Sequence, residues 1–147
     1  MFKIDKSLNN LDKSIAQNNA NELSDCSARF YDGIIEFIDS ILTVLPNETP
    51  LVVAKVYIQT KISKEKLIKK YIKNILPLAD AIARRDDSFI DGQYLDALLN
   101  ENSMFKIDFY SIWQQLDAGN RDLTWQWLEA FNKLARIWLS SGGGTRR

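Results

Sequence analysis

Apolar side chains at Phe30, Ile34, Phe37, Ile38, Ile41, Leu42 and Leu45 recur at steps of three and four, the spacing that gathers them onto one stripe of an α-helix. At about 100° per residue, Asp32, Glu36 and Asp39 fall on the opposite side. The pattern predicts a long helix with a dry face and an acidic face. Ser24 or Asp25 is its candidate N-cap, and Pro46, which lacks an N–H and disfavours a helical conformation in the residue before it, marks its end. A second stripe lies near the other end of the chain, at Leu123, Trp127, Leu128, Phe131, Leu134, Ala135 and Trp138, and is expected to form the other half of the core.

Between these two ribs the pattern supplies shorter helices. Thr49 as cap and Pro50 in the first helical position open one of them, with Val53, Val56, Tyr57 and Thr60 sharing one helical face. Its β-branched residues would also suit a strand, but the chain offers no second strand to pair with it. Ser63 caps another helix, in which Leu67, Ile68, Tyr71, Ile72 and Ile75 face inward and Lys66, Lys69, Lys70 and Lys73 line the opposite side. Pro77 either kinks that helix or starts a short new one through Leu78 and Ile82, and the run Arg84-Arg85-Asp86-Asp87 ends it. Phe89, Ile90, Tyr94, Leu95, Leu98 and Leu99, with Gly92 near the start, predict a further short helix followed by a loop at Asn100 to Ser103. Asp108 is placed to cap the helix of Ile112, Trp113 and Leu116; Gly119 is expected to close it, and Asn120 to cap the last one.

The organisation that results is all-α: a single compact helical domain of five to seven helices over 24–139. A thin strip at Ile4, Leu8, Leu11 and Ile15 makes 1–20 a peripheral amino-terminal helix, and the glycine-rich 140–147 a flexible tail ending in Arg146 and Arg147. A chain of 147 residues buries about 68–70% of its unfolded surface, enough for an ordinary core without staples.

Composition then removes function classes. The 19 basic residues balance 19 acidic ones, so net charge points to no partner. Histidine is absent and Cys26 is the single cysteine. Together these remove His-based acid–base catalysis, His-activated nucleophiles, internal disulfides and Cys/His zinc sites. The expected location is intracellular, in a reducing compartment, or in a virion assembled there. No stretch reaches the ~20 apolar residues of a membrane span.

Three surface features remain as candidate chemistry. The carboxylates Asp32, Glu36 and Asp39 share a helix face, but no second helix supplies the partners of a carboxylate metal site, so neither metal, cofactor nor enzymatic activity is expected. The row Lys66, Lys69, Lys70 and Lys73 reads first as a solvated face and second as a phosphate-binding one. No aromatic residue or arginine is interleaved for stacking on bases. Trp125 projects with Glu129, Asn132 and Arg136 on the polar side of the last helix, where an indole is either covered by the chain's own loops or kept for a partner.

Three segments resemble a family of small helical proteins encoded by nucleocytoplasmic large DNA viruses of the mimivirus and marseillevirus kind. Phe30 to Pro46 is similar to that family's aromatic, Ile- and Leu-rich helix running into a proline. Asp86-Asp87-Ser88-Phe89-Ile90 is similar to its acidic loop ahead of an aromatic. Ile107-Asp108-Phe109 to Trp113, with Thr124-Trp125-Gln126-Trp127-Leu128 and Leu134-Ala135, is similar to its tryptophan signature. The resemblance implies an all-helical viral protein without known enzymatic activity, a virion or assembly component acting on a viral protein partner or on itself. Trp125, Arg136, Arg146 and Arg147 are the expected protein contacts. Nucleic-acid binding through the lysine row is the alternative.

Overall fold

The structure, a computed structural model, describes residues 23–91 and 108–141, with side chains from Cys26 to Ile90 and from Asp108 to Ser141. The expectations for 1–20, for Gly92 to Ser103, and for Arg146 and Arg147 fall outside the described residues. The fold is all-α and compact. In chain order it runs α1 (Leu23–Val44), α2 (Thr49–Lys61), α3 (Lys64–Asn74), a 3-10 turn (Leu76–Leu78), α4 (Ala79–Ala83), α5 (Asp87–Asp91), α6 (Phe109–Gln115) and α7 (Ala118–Ser140).

The two predicted ribs are α1 and α7, and among the described helices the contact between them is the most extensive. Phe30, Ile34, Phe37, Ile38 and Ile41 are buried from α1, and Trp127, Leu128, Phe131, Leu134, Ala135 and Trp138 from α7. Phe131 sits at the centre of an aromatic cluster. Its ring lies 5.4 Å from Phe30, 5.9 Å from Phe37, 5.6 Å from Trp127 and 6.1 Å from Tyr71 of α3. Tilted and edge-on pairs of this kind bring the positive rim of one ring to the negative face of another, each worth about 0.5–1.5 kcal/mol beyond burial.

Local signals set most helix ends. Ser63 accepts from the Lys66 N–H at 3.1 Å and Asp108 from the Ser111 N–H at 3.3 Å, so both caps stand where the sequence puts them. Pro77 falls in the 3-10 turn, which ends α3 and leads straight into α4. α4 closes with Asp86 N–H on Ala81 C=O and Arg85 N–H on Ile82 C=O, a Schellman arrangement that puts Arg85 at φ 55°. A side chain there is strained, and the Arg85 guanidinium is engaged by Asp122 of α7.

Three boundaries differ from the sequence reading. Ser24 and Asp25 already lie within α1. α2 begins at Thr49 itself, with Pro50 inside its first turn and no side-chain cap. α6 stops at Gln115 and α7 starts at Ala118, capped by Asp117, whose carboxylate accepts from the Asn120 N–H at 2.9 Å. Gly119 and Asn120 are therefore inside the first turn of α7. Asn120 is buried, its carbonyl accepting the Thr124 hydroxyl at 2.8 Å.

Burial decides which face of α2 packs. Leu51, Ala54 and Ile58 are buried, continued by Ile62, while Val56 is 52% and Val52 42% exposed. The helix is apolar on both sides, so periodicity alone cannot choose between its faces; burial against α1 selects the side carrying the Leu and Ile.

Phe131→Ala should lower the unfolding free energy by about 3–5 kcal/mol, because the cluster around it cannot collapse into the space left. Val56→Ala should change it by no more than about 0.5 kcal/mol. Urea melts of both variants against the parent chain measure the contrast.

Candidate functional site

Trp125 is inside the molecule. It is 4% exposed, with Trp113 of α6 edge-on at 5.3 Å and Phe89 of α5 at 6.2 Å. Its expected role as a surface contact is corrected, and the reason lies in how α7 is placed. α1 and α3 cover the side carrying Trp127 and Phe131, while α5 and α6 bring Phe89 and Trp113 against Trp125. A one-stripe reading cannot anticipate a helix covered from several directions. The signal that could have found it is the surplus of apolar residues in the short helices, since Phe89, Ile90, Phe109, Ile112, Trp113 and Leu116 are all buried and need a surface to cover.

The lysine row is where the sequence put it. On α3, Lys66, Lys69 and Lys73 are exposed and Lys70 half-buried, opposite the buried Leu67, Ile68 and Tyr71. Lys64 stands over the Tyr31 ring at 5.7 Å, and Lys69 lies 3.7 Å from Glu65, the single acid of the helix. An exposed pair of that kind contributes little, so the face keeps an excess of positive charge.

Among the described residues, those of the acidic face of α1 included, no three His, Cys, Asp or Glu side chains converge as candidate metal ligands. Asp39 is bound by Lys55 of α2 at 2.6 Å. Partial burial raises the Glu36 pKa above its ordinary 4.5, and the neighbouring charges of Asp32 and Asp39 push it the same way. In the mid-chain loop, Asp86 accepts from the Ser88 backbone N–H at 3.0 Å, and that bond leads the causes holding its pKa below the usual 3.8. The acidic motif ahead of Phe89 is thus a cap for α5.

Arg136 borders a feature that the sequence does not show. α4 crosses α7 and leaves a half-open hollow of about 300 Å³, with Ala79, Asp80 and Ala83 on one wall and Glu129, Asn132, Lys133 and Arg136 on the other. Asn132 is 3% exposed. Its carboxamide oxygen accepts the Tyr71 hydroxyl at 2.6 Å, and full burial raises the Tyr71 pKa well above 10, against the opposing pull of Arg136. Tyr71 is therefore a neutral donor, and its single proton serves Asn132 in preference to the Leu128 carbonyl at 3.3 Å. The spacing of Glu129, Asn132, Lys133 and Arg136 along one face of α7 is legible from sequence; the arrival of Asp80 is not, because it depends on how α4 docks.

No described helix is long and apolar enough to cross a membrane. Comparison with protein-family models, curated proteins and solved structures returns no match to this chain.

Glu36→Gln should stabilise the fold at pH 7. The folded state holds the Glu36 proton more tightly than the unfolded chain does, so its penalty is absent below pH 4.5 and sets in as pH rises past that value. Urea melts from about pH 3 to 7 should show the gain appearing across that window. A gain independent of pH, or a loss at pH 7, contradicts the assignment.

Proposed function

We propose that this chain is a non-catalytic protein-interaction module, a virion or assembly component of a large DNA virus, and that it meets its partner through the outer face of α2. The observation that carries the reading is the exposure of Val52 and Val56, one turn apart on a helix whose opposite face is already packed. Single exposed apolar residues are ordinary, but two stacked valines on one helix offer an apolar anchor for a partner helix. The absence of histidine from the sequence and the capping and ion-pair roles of Asp86, Asp108, Asp117 and Asp39 support a non-catalytic reading. The viral setting rests on the resemblance of the Phe30–Pro46, Asp86–Ile90 and Trp125–Leu128 segments. A viral protein is the partner this reading names, and a second copy of the chain is the other occupant that the test separates. The exposed Arg136 is placed beside the hollow rather than beside α2.

A photoreactive residue in place of Val56 should crosslink, in infected cells or purified particles, to one defined viral protein, and Val52→Asp should suppress the adduct. A product of twice the chain mass identifies self-association instead. Recovery of uncrosslinked chain alone overturns the reading.

The second reading is nucleic-acid binding through Lys66, Lys69, Lys70 and Lys73, favoured by the exposure of three of the four on one helix face. Four phosphate contacts to duplex DNA would give a log–log salt slope of about −3 to −4. Mobility-shift titrations should then show binding at about 50 mM salt that falls with that slope and weakens in a Lys66→Glu/Lys73→Glu variant. No retarded band at that salt concentration removes the reading.

A further inference from the structure

We infer that the hollow between α4 and α7 is a binding site for a small zwitterion, a molecule carrying one carboxylate and one ammonium group in the manner of an amino acid. Three observations carry this, and none depends on the α2 interface. The first is the floor. Asn132 is buried at 3% exposure with its oxygen taken by Tyr71, while its amide nitrogen has no hydrogen-bond partner among the described residues. Because Asn132 lines the hollow, a ligand acceptor placed there can take that donor.

The second is the rim. Lys133 and Arg136 bring two cations, and Asp80 and Glu129 two anions, to one opening. None of the four forms an ion pair within 4.0 Å among the described residues, although Glu129 and Lys133 are one helical turn apart. Both signs of charge therefore line one volume without a contact ion pair between them. The third is shape: Ala79 and Ala83 are the small residues that leave the space, and about 300 Å³ suits a ligand of amino-acid size.

The charges also fix the ligand's direction. On α7, Glu129 precedes Arg136 by seven residues, about 10 Å along the axis. The carboxylate accordingly meets Arg136 and the Asn132 amide, and the ammonium meets Glu129, with Lys133 and Asp80 lining the same hollow. A pure anion would face two carboxylates, and a pure cation would face two basic groups. The zwitterion alone satisfies both ends, and the separation along α7 favours one whose charged groups are several bonds apart.

Chemical-shift titration of isotopically labelled protein tests this with glycine, 4-aminobutyrate and 6-aminohexanoate as zwitterions and with acetate and propylamine as the corresponding half-ligands. At least one zwitterion should move the Ala79, Ala83 and Asn132 signals and bind at least about tenfold more tightly than either half-ligand. Arg136→Gln and Glu129→Gln, which alter solvent-facing ends and leave Tyr71 and Asn132 in place, should each weaken it by at least about tenfold. Absence of shifts with every zwitterion, acetate binding as tightly as the zwitterions, or retention of affinity in both variants overturns the inference. Each of these outcomes leaves the Val56 crosslinking result unaffected.

Discussion

The requirement that α7 be covered on several sides at once governs this fold. Eleven of its residues are buried, among them Trp125, Trp127, Phe131 and Trp138, so no single neighbour can shield it. α1 supplies the largest cover through Phe30 and Phe37 against Phe131 and Trp127. α3 adds Tyr71, and the short helices close the remaining side through Phe89 and Trp113 against Trp125. Five-residue helices such as α4 and α5 are too short to be stable alone, so their persistence follows from this packing.

Placing a helix at the centre also decides where its polar groups go. Asn132 and Thr124 enter the interior with α7, and each finds an internal partner: Tyr71 for the first and the Asn120 carbonyl for the second. Arg121 lies against the Trp113 ring at 5.3 Å and donates to the Trp113 carbonyl at 3.0 Å, satisfying an acceptor near the C-terminal end of α6. Gln115 donates to Glu48 at 3.0 Å, tying α6 to the turn between α1 and α2. These polar contacts join α6 to α7 and to the turn before α2, while the buried apolar side chains, aromatic and aliphatic, form the core between the helices.

The all-α class and the two main stripes were legible because apolar residues recur at helical spacing over sixteen positions each, Phe30 to Leu45 and Leu123 to Trp138. The Ser63 and Asp108 caps were legible because a short oxygen-bearing side chain just before an apolar helical run can accept from the first free N–H groups of the helix it opens. What periodicity could not decide was facing. α2 is apolar on both sides, so the burial of Leu51, Ala54 and Ile58 and the exposure of Val52 and Val56 came from docking on α1. Trp125 failed as a surface residue because the stripe argument gives a helix one buried side. At the surface, the lysine row of α3 was fully visible in the sequence, whereas the hollow needed Asp80 and Ala83 to be carried against Glu129 and Arg136 from more than forty residues away.

If joint packing of α1 and α7 holds the molecule together, neither helix can open while the other stays closed. Native-state amide hydrogen exchange in low urea measures this directly. The backbone amides of Phe37, Ile38 and Ile41 and those of Trp127, Leu128 and Phe131 should share one opening free energy equal to that of global unfolding, with the same dependence on urea. A lower opening free energy for either helix, with its own shallower urea dependence, would contradict the account.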